Sequence, residues 1–224
     1  MKRIILSFSI CFTTLCITTS AMAIGLGGYF DMGIGQTSWG KYSSGAGADV
    51  IPTGGIILDT AAAQNKIFNY RFKFGGGKMM SGKPQLDKVG MTHTLGLSPV
   101  NFRGDEARFF FGPRLGMYYL GGEASTSYTM KPEDYLLGSN IVFLPKTKRV
   151  RLDLVRFDLG LVLLGFNFNL GDISTITFEF GINYGVMLGN KKGTASFSGF
   201  EGFATVGYMH RFNDSYVVRV KDIQ

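Results

Sequence analysis

Thr175-Ile176-Thr177-Phe178-Glu179-Phe180-Gly181-Ile182-Asn183-Tyr184-Gly185-Val186-Met187-Leu188 is the stretch that decides the fold. Ile176, Phe178, Phe180, Ile182, Tyr184, Val186 and Leu188 fall on one parity, and Thr175, Thr177, Glu179, Gly181, Asn183 and Gly185 on the other. Period two over such a length is the pattern of a β-strand with two unlike faces. Strands in a soluble sandwich average about 5 to 6 residues. A strand that crosses a bilayer needs about 9 to 11. The run is too long for the first and suits the second, with its aromatic set in lipid and its small and polar set turned inward.

Seven other segments repeat it. The first sets Leu26, Phe30, Met32 and Ile34 against Gly27, Tyr29, Asp31 and Gly33; the third sets Phe68, Tyr70, Phe72 and Phe74 against Asn69, Arg71, Lys73 and Gly75. A weak second segment runs from about Ile51 to Asp59, and a fourth from Val89 to Leu97. In the fifth, Phe109, Phe111, Pro113, Leu115, Met117 and Tyr119 oppose Arg108, Gly112, Arg114, Gly116 and Tyr118. Pro113 cannot donate to a ladder, so a bulge or local break is expected there. The sixth changes parity between Phe157-Leu159 and Phe166-Phe168, which requires one extra residue, a bulge between Gly160 and Gly165. The eighth sets Phe200, Ala204, Val206, Tyr208 and Phe212 against Glu201, Thr205, Gly207 and Arg211.

The connections add a direction. Thr60 to Asn65, Asn101 to Ala107 and Gly171 to Ile173 read as short turns; Trp39 to Val50, Lys78 to Lys88, Gly122 to Val150 and Asn190 to Gly199 read as long links. Short periplasmic turns alternating with long outer loops belong to bacterial membrane barrels. The expected fold is all-β, an eight-stranded antiparallel up-and-down transmembrane β-barrel.

Composition agrees. Of 224 residues 45% are hydrophobic and only 17% charged, with 32 glycines and 6 prolines, too little charge for a helical bundle or a disordered chain. Past the N-terminus no apolar run reaches the roughly 18 residues of a spanning helix, and without such helices a membrane protein has to be a closed barrel. At the start, Lys2 and Arg3 precede the apolar stretch Ile4 to Ile17 and the small-residue site Ala21-Met22-Ala23. This reads as a cleaved signal peptide, residues 1–23. The barrel then occupies 24–212, and 213–224 form a short periplasmic tail. Cys11 and Cys16 leave with the signal, so disulfides and zinc thiolate sites are excluded from the mature chain. The formal charge falls from +7 to +5 once Lys2 and Arg3 are removed, far short of a nucleic-acid footprint.

Taken together, the signal, the eight segments and the ending Tyr208-Met209-His210-Arg211-Phe212 resemble the small eight-stranded outer-membrane barrels of the OmpA transmembrane-domain and OmpX type. Phe68-Asn69-Tyr70-Arg71, Phe111-Gly112-Pro113-Arg114 and Asn167-Phe168-Asn169-Leu170-Gly171-Asp172 are similar to stretches of uncharacterised bacterial outer-membrane β-barrel proteins, which bring no activity with them. The resemblance implies the cell outer membrane as location and contact with its lipids, lipopolysaccharide included. It also implies assembly by the barrel-assembly machinery, with Tyr208 and Phe212 as the signal read. The tail is too short for the peptidoglycan-binding domain of OmpA-like proteins.

Few residues suggest chemistry. Gly35 to Tyr42 nearly spells a phosphate-binding loop, but Tyr42 stands where a serine or threonine is required. Neither His93 nor His210 has a serine two positions along, and both fall on the apolar parity. No catalytic, cofactor or metal site is assigned. The inward charges Asp31, Asp59, Arg71, Lys73, Arg114, Arg156, Asp158, Glu179, Glu201 and Arg211 form the one informative constellation. Eight strands leave an interior that side chains just fill, so these charges read as a lumen network plugging the barrel. For Glu179 the candidate partners are Arg114, Arg156 and Arg211. The longest link carries Tyr135 and Leu136, then Lys146, Lys148 and Arg149, a candidate loop for a surface protein partner or for lipopolysaccharide phosphates. The expected function is a non-enzymatic outer-membrane barrel with a structural or surface-interaction role. A small gated pore is the alternative, and a lipid-modifying enzyme the second.

Overall fold

A computed structural model describes residues 24–38, 48–60, 67–80, 85–104, 106–128, 146–171, 173–189 and 197–212, with backbone alone at 124–128 and 146–150. The eight strands are β1 (Ile24–Thr37), β2 (Asp49–Asp59), β3 (Phe68–Met80), β4 (Gln85–Leu97), β5 (Ala107–Tyr128), β6 (Lys146–Leu170), β7 (Ser174–Gly189) and β8 (Phe197–Phe212). Each pairs antiparallel with the next, and β8 returns to β1, closing the barrel. Closure removes every long sheet edge from the wall.

Alternation decides what each face shows. Leu26, Phe30, Ile34, Phe74, Leu115, Leu159, Phe180, Ile182 and Phe200 stand exposed on the outer wall, while Arg71, Lys73, Arg156 and Glu179 are buried inside. A soluble barrel has the opposite distribution. The lumen is layered along its axis. Charged residues fill the middle and the short-turn end. Toward the long links, Ile51, Met79, Leu86, Leu120, Leu152, Leu154, Met187 and Phe197, from seven of the strands, meet in a buried apolar cap. Glycines opposite large side chains make room for this filling. The carboxylate of Glu201 lies where a side chain on Gly33 would begin.

The expected bulge in the sixth segment is present. Between Val162 and Leu164 the β6–β7 register shifts by one, and the β5–β6 register shifts beside it between Phe110 and Gly112. Both shifts trace to one extra β6 residue, so that Leu163 and Leu164 both face outward at 48% and 45% exposure. Pro113 breaks the other ladder as expected: β4–β5 pairing lapses between Thr94↔Arg114 and Leu97↔Phe111.

Three connections differ from expectation. The link read as Lys78 to Lys88 is mostly strand, because Lys78 pairs with Asp87 and Lys88 turns inward over the Tyr118 ring, 4.0 Å from its centroid. Only 81–84 separate β3 from β4, fewer than the 98–106 that join β4 to β5, so link lengths do not alternate strictly. The link read as Gly122 to Val150 shrinks to 129–145, since Ala124↔Val150 through Tyr128↔Lys146 continue the ladder as a two-stranded ribbon beyond the ends of β4 and β7. Likewise β8 begins at Phe197, which packs in the cap. In the first two cases the charged residues read as loop are strand residues at a rim. Segments 1–23 and 213–224 and Trp39 lie outside the described residues.

Candidate functional site

The lumen charges form two groups. The lower group is centred on Arg71, fully buried on β3, whose five N–H donors are all used. Nε and Nη2 donate to Asp59 at 3.0 and 2.5 Å, Nη1 to Thr177 at 2.8 Å and to Glu179 at 2.6 Å, and Nη2 also to Asn167 at 2.9 Å. Two residues along the strand, Lys73 Nζ donates to Glu179 Oε2 at 2.5 Å and to Thr205 at 3.0 Å, and lies 3.9 Å from Asp31. Asp31 in turn accepts from Arg114 at 2.9 Å and from Thr205 at 3.1 Å. The Arg114 guanidinium lies over the Phe203 ring, 3.7 Å from its centroid. Asp59–Arg71–Glu179–Lys73–Asp31–Arg114 is thus a chain of alternating sign.

The upper group is Arg156 between Asp158, at 2.5 Å, and Glu201. Beside it the Tyr118 hydroxyl pairs with Thr92 at 2.5 Å. An ion buried alone would be too costly to keep; here each charge meets its opposite, with neutral hydroxyls and amides around it.

Glu179 takes neither Arg114, Arg156 nor Arg211 as its contact partner. Arg71 and Lys73 of β3 hold it, because β3 and β7 stand opposite one another and their side chains meet across the axis. Arg211, expected in the network, sits at the short-turn end and donates to the carbonyl of Gly171. The other eight network residues, with Asp59, belong to the two groups. Tyr208 and Phe212 are half exposed on the outer wall. Tyr135 and Leu136 lie outside the described residues. Lys146, Lys148 and Arg149, expected in a loop, are strand residues of the β5–β6 ribbon.

The histidines are on the outer wall, as their parity requires. His93 Nδ1 is 2.5 Å from the Tyr70 hydroxyl, and its ring lies against Phe72. His210 stands across from Ser174, a neighbour that spacing along one strand did not reveal. The Ser174 hydroxyl is engaged with that of Tyr208 at 2.8 Å. Among the described residues no group of three or more His, Cys, Asp or Glu is arranged to hold a metal ion.

Sequence reasoning missed the apolar cap and a charged row on the outer wall. Lys78, Asp87, Gly121 and Asp153 are register neighbours across β3 to β6, just above the last apolar residues Val89, Tyr119 and Val155. The Tyr119 hydroxyl donates to Asp153 at 2.6 Å, and Arg151 Nε lies 3.5 Å from the same carboxylate.

No protein-family model and no curated protein matches the chain. Among solved structures it is similar to Neisserial surface protein A, at 11% identity and TM-score 0.42, over 87% of this chain and 100% of that one. It is similar also to Ail, the attachment invasion locus protein of Yersinia pestis, at 8% identity and TM-score 0.42, over 86% and 100%. A major outer membrane protein from Thermus thermophilus is similar at 12% identity and TM-score 0.32, over 84% and 99%. These likenesses bring no residue role to this chain.

Proposed function

We propose that the chain is an outer-membrane β-barrel without catalytic activity, with a structural or surface-interaction role and an interior closed by its own side chains. The inverted distribution carries this reading: a closed wall is apolar outside, while the buried charges pair within. Water would leave that outer wall unsatisfied, whereas lipid covers it. The short turns then face the periplasm, and the β5–β6 ribbon with Lys146, Lys148 and Arg149 projects from the cell, where lipopolysaccharide phosphates or a protein partner would meet it. Tyr208 and Phe212 would serve assembly of the last strand.

The pore reading has less support, because opposite walls are tied through the lumen and the cap lies across its outer end. The test is cell fractionation with electrophoresis. The protein should sediment with the outer membrane and migrate differently on a denaturing gel before and after boiling. Recovery in the soluble fraction with no such shift would overturn the reading.

A further inference from the structure

We infer that the open edge of β6 in the β5–β6 ribbon, residues 146–152, takes up an acidic extended segment of another protein as an added strand. The inference rests on the surface reading and names the kind of partner it implies. On its β7 side, β6 is paired from Leu154↔Gly189 inward, and among the described residues no strand lies beside 146–152. Its other side is laddered to β5, from Gly122↔Leu152 to Tyr128↔Lys146. Alternate residues of such a strand turn N–H and C=O groups outward, the template on which a further strand forms. Natural edges are blunted by proline, by a bulge or by shortness. From 146 to 152 there is no proline or glycine, and the β6 bulge lies lower, between Val162 and Leu164. The run is also longer than a usual strand of about 5 to 6 residues. The ribbon's other edge is shorter, since β5 loses β4 at Gln85↔Glu123 and only 124–128 continue beyond.

Charge selects the occupant. Lys146, Lys148 and Arg149 have Tyr128, Thr126 and Ser125 as their neighbours on β5, none of them acidic. Arg151 does not count with them, because its Nε lies 3.5 Å from Asp153 and its β5 neighbour is Glu123. A second copy of this edge would set cations directly opposite cations, which is destabilising, whereas acids at the facing positions gain from each pair. The same three residues thus reject self-pairing and favour an acidic partner. A strand added antiparallel to β6 runs outward in line with β7 and meets Arg149, Lys148 and Lys146 in that order. Its pattern is therefore acid-acid-x-acid, with acids on both of its faces.

The test uses the purified full chain in lipid nanodiscs and a labelled peptide, Val-Thr-Val-Glu-Glu-Thr-Glu, whose residues face Leu152 through Lys146 in turn. Fluorescence polarisation should show saturable binding that weakens with salt. The same peptide N-methylated at the amides that face the edge keeps its charge but loses the strand hydrogen bonds, and should bind about tenfold more weakly. Lys148→Glu with Arg149→Glu should abolish binding of the first peptide and accept Val-Thr-Val-Lys-Lys-Thr-Glu, which the unaltered chain rejects. The heat-dependent gel shift checks that this variant is folded. On binding, hydrogen exchange should slow at 146–152 and not at 124–128. Equal binding of the methylated peptide would mean attraction by charge alone, as for a lipid phosphate, and overturns the added strand. Exchange already slow at 146–152 in the unbound chain, or failure of the charge swap, overturns it too. Intact cells carrying the chain should take the labelled peptide onto their surface. Binding to nanodiscs without labelling of cells overturns the surface reading and the partner with it; a chain cut in intact cells by added protease that binds no peptide overturns the edge alone.

Discussion

Arg71 on β3 and Glu179 on β7 meet at 2.6 Å through the axis of the barrel, from strands that face each other across it. Arg114 of β5 and Asp31 of β1 do the same at 2.9 Å along the crossing direction. The interior is therefore held in part by contacts between strands that share no backbone hydrogen bond.

Glu179→Leu should lower the urea midpoint strongly. It leaves Arg71 and Lys73 buried without this carboxylate, and breaking a buried pair costs about 3 to 5 kcal/mol. Glu106→Gln, on an exposed turn, should scarcely move the midpoint. Equal, small shifts in the two variants would mean a hydrated lumen.

Asp31→Leu and Arg114→Leu should each destabilise, and the double variant should be more stable than the sum of the two predicts, since the second change removes an orphaned charge. Urea midpoints of the four proteins close the cycle. Strict additivity would show that the pair does not interact.

Deleting Leu163 should leave a folded, heat-modifiable barrel. Val162 and Leu164 then take consecutive places opposite Gly181 and Phe180, and every side chain keeps its face. Deleting Phe178 from β7, which has no spare residue, slips the strand by one and turns Glu179 toward the outer wall. That variant should give no folded band. If the two deletions behaved alike, the bulge would not be where the register places it.

Purified protein in planar bilayers should show no steady conductance, because eight strands enclose an interior that side chains fill. Leu120→Ala with Leu154→Ala, which thins the cap, should remain silent, since Arg156 with its two acids lies beneath. Reproducible channels in the unaltered protein would promote the pore.

Much of this was legible in the chain. Parity placed the walls of β3 and β7, and the switch between Leu159 and Phe166 located the extra residue of β6 before any pairing was known. The partners of Glu179 were not legible, because alternation says which face a residue occupies and nothing about which strand stands opposite once the sheet has closed. The cap was missed because Met79, Leu86 and Leu120 lay in or beside stretches read as links. Carrying the inward parity of Lys73, Thr92 and Arg114 further along their strands would have found all three. Lys146, Lys148 and Arg149 misled in the same manner, since basic residues at a rim look like loop when the wall beneath them is apolar.

The two diametral ion pairs have a mechanical consequence. A hoop of eight strands without struts can flatten into an oval under uneven lateral pressure, because that motion bends each hydrogen-bonded seam only slightly. Struts along two crossed diameters forbid it: shortening one lengthens the other, and either change pulls a buried ion from its counterion. Such a tube transmits force between its two rims as a rigid post. A load applied to the β5–β6 ribbon would therefore be passed to the turns at the opposite rim with little loss in deformation of the wall.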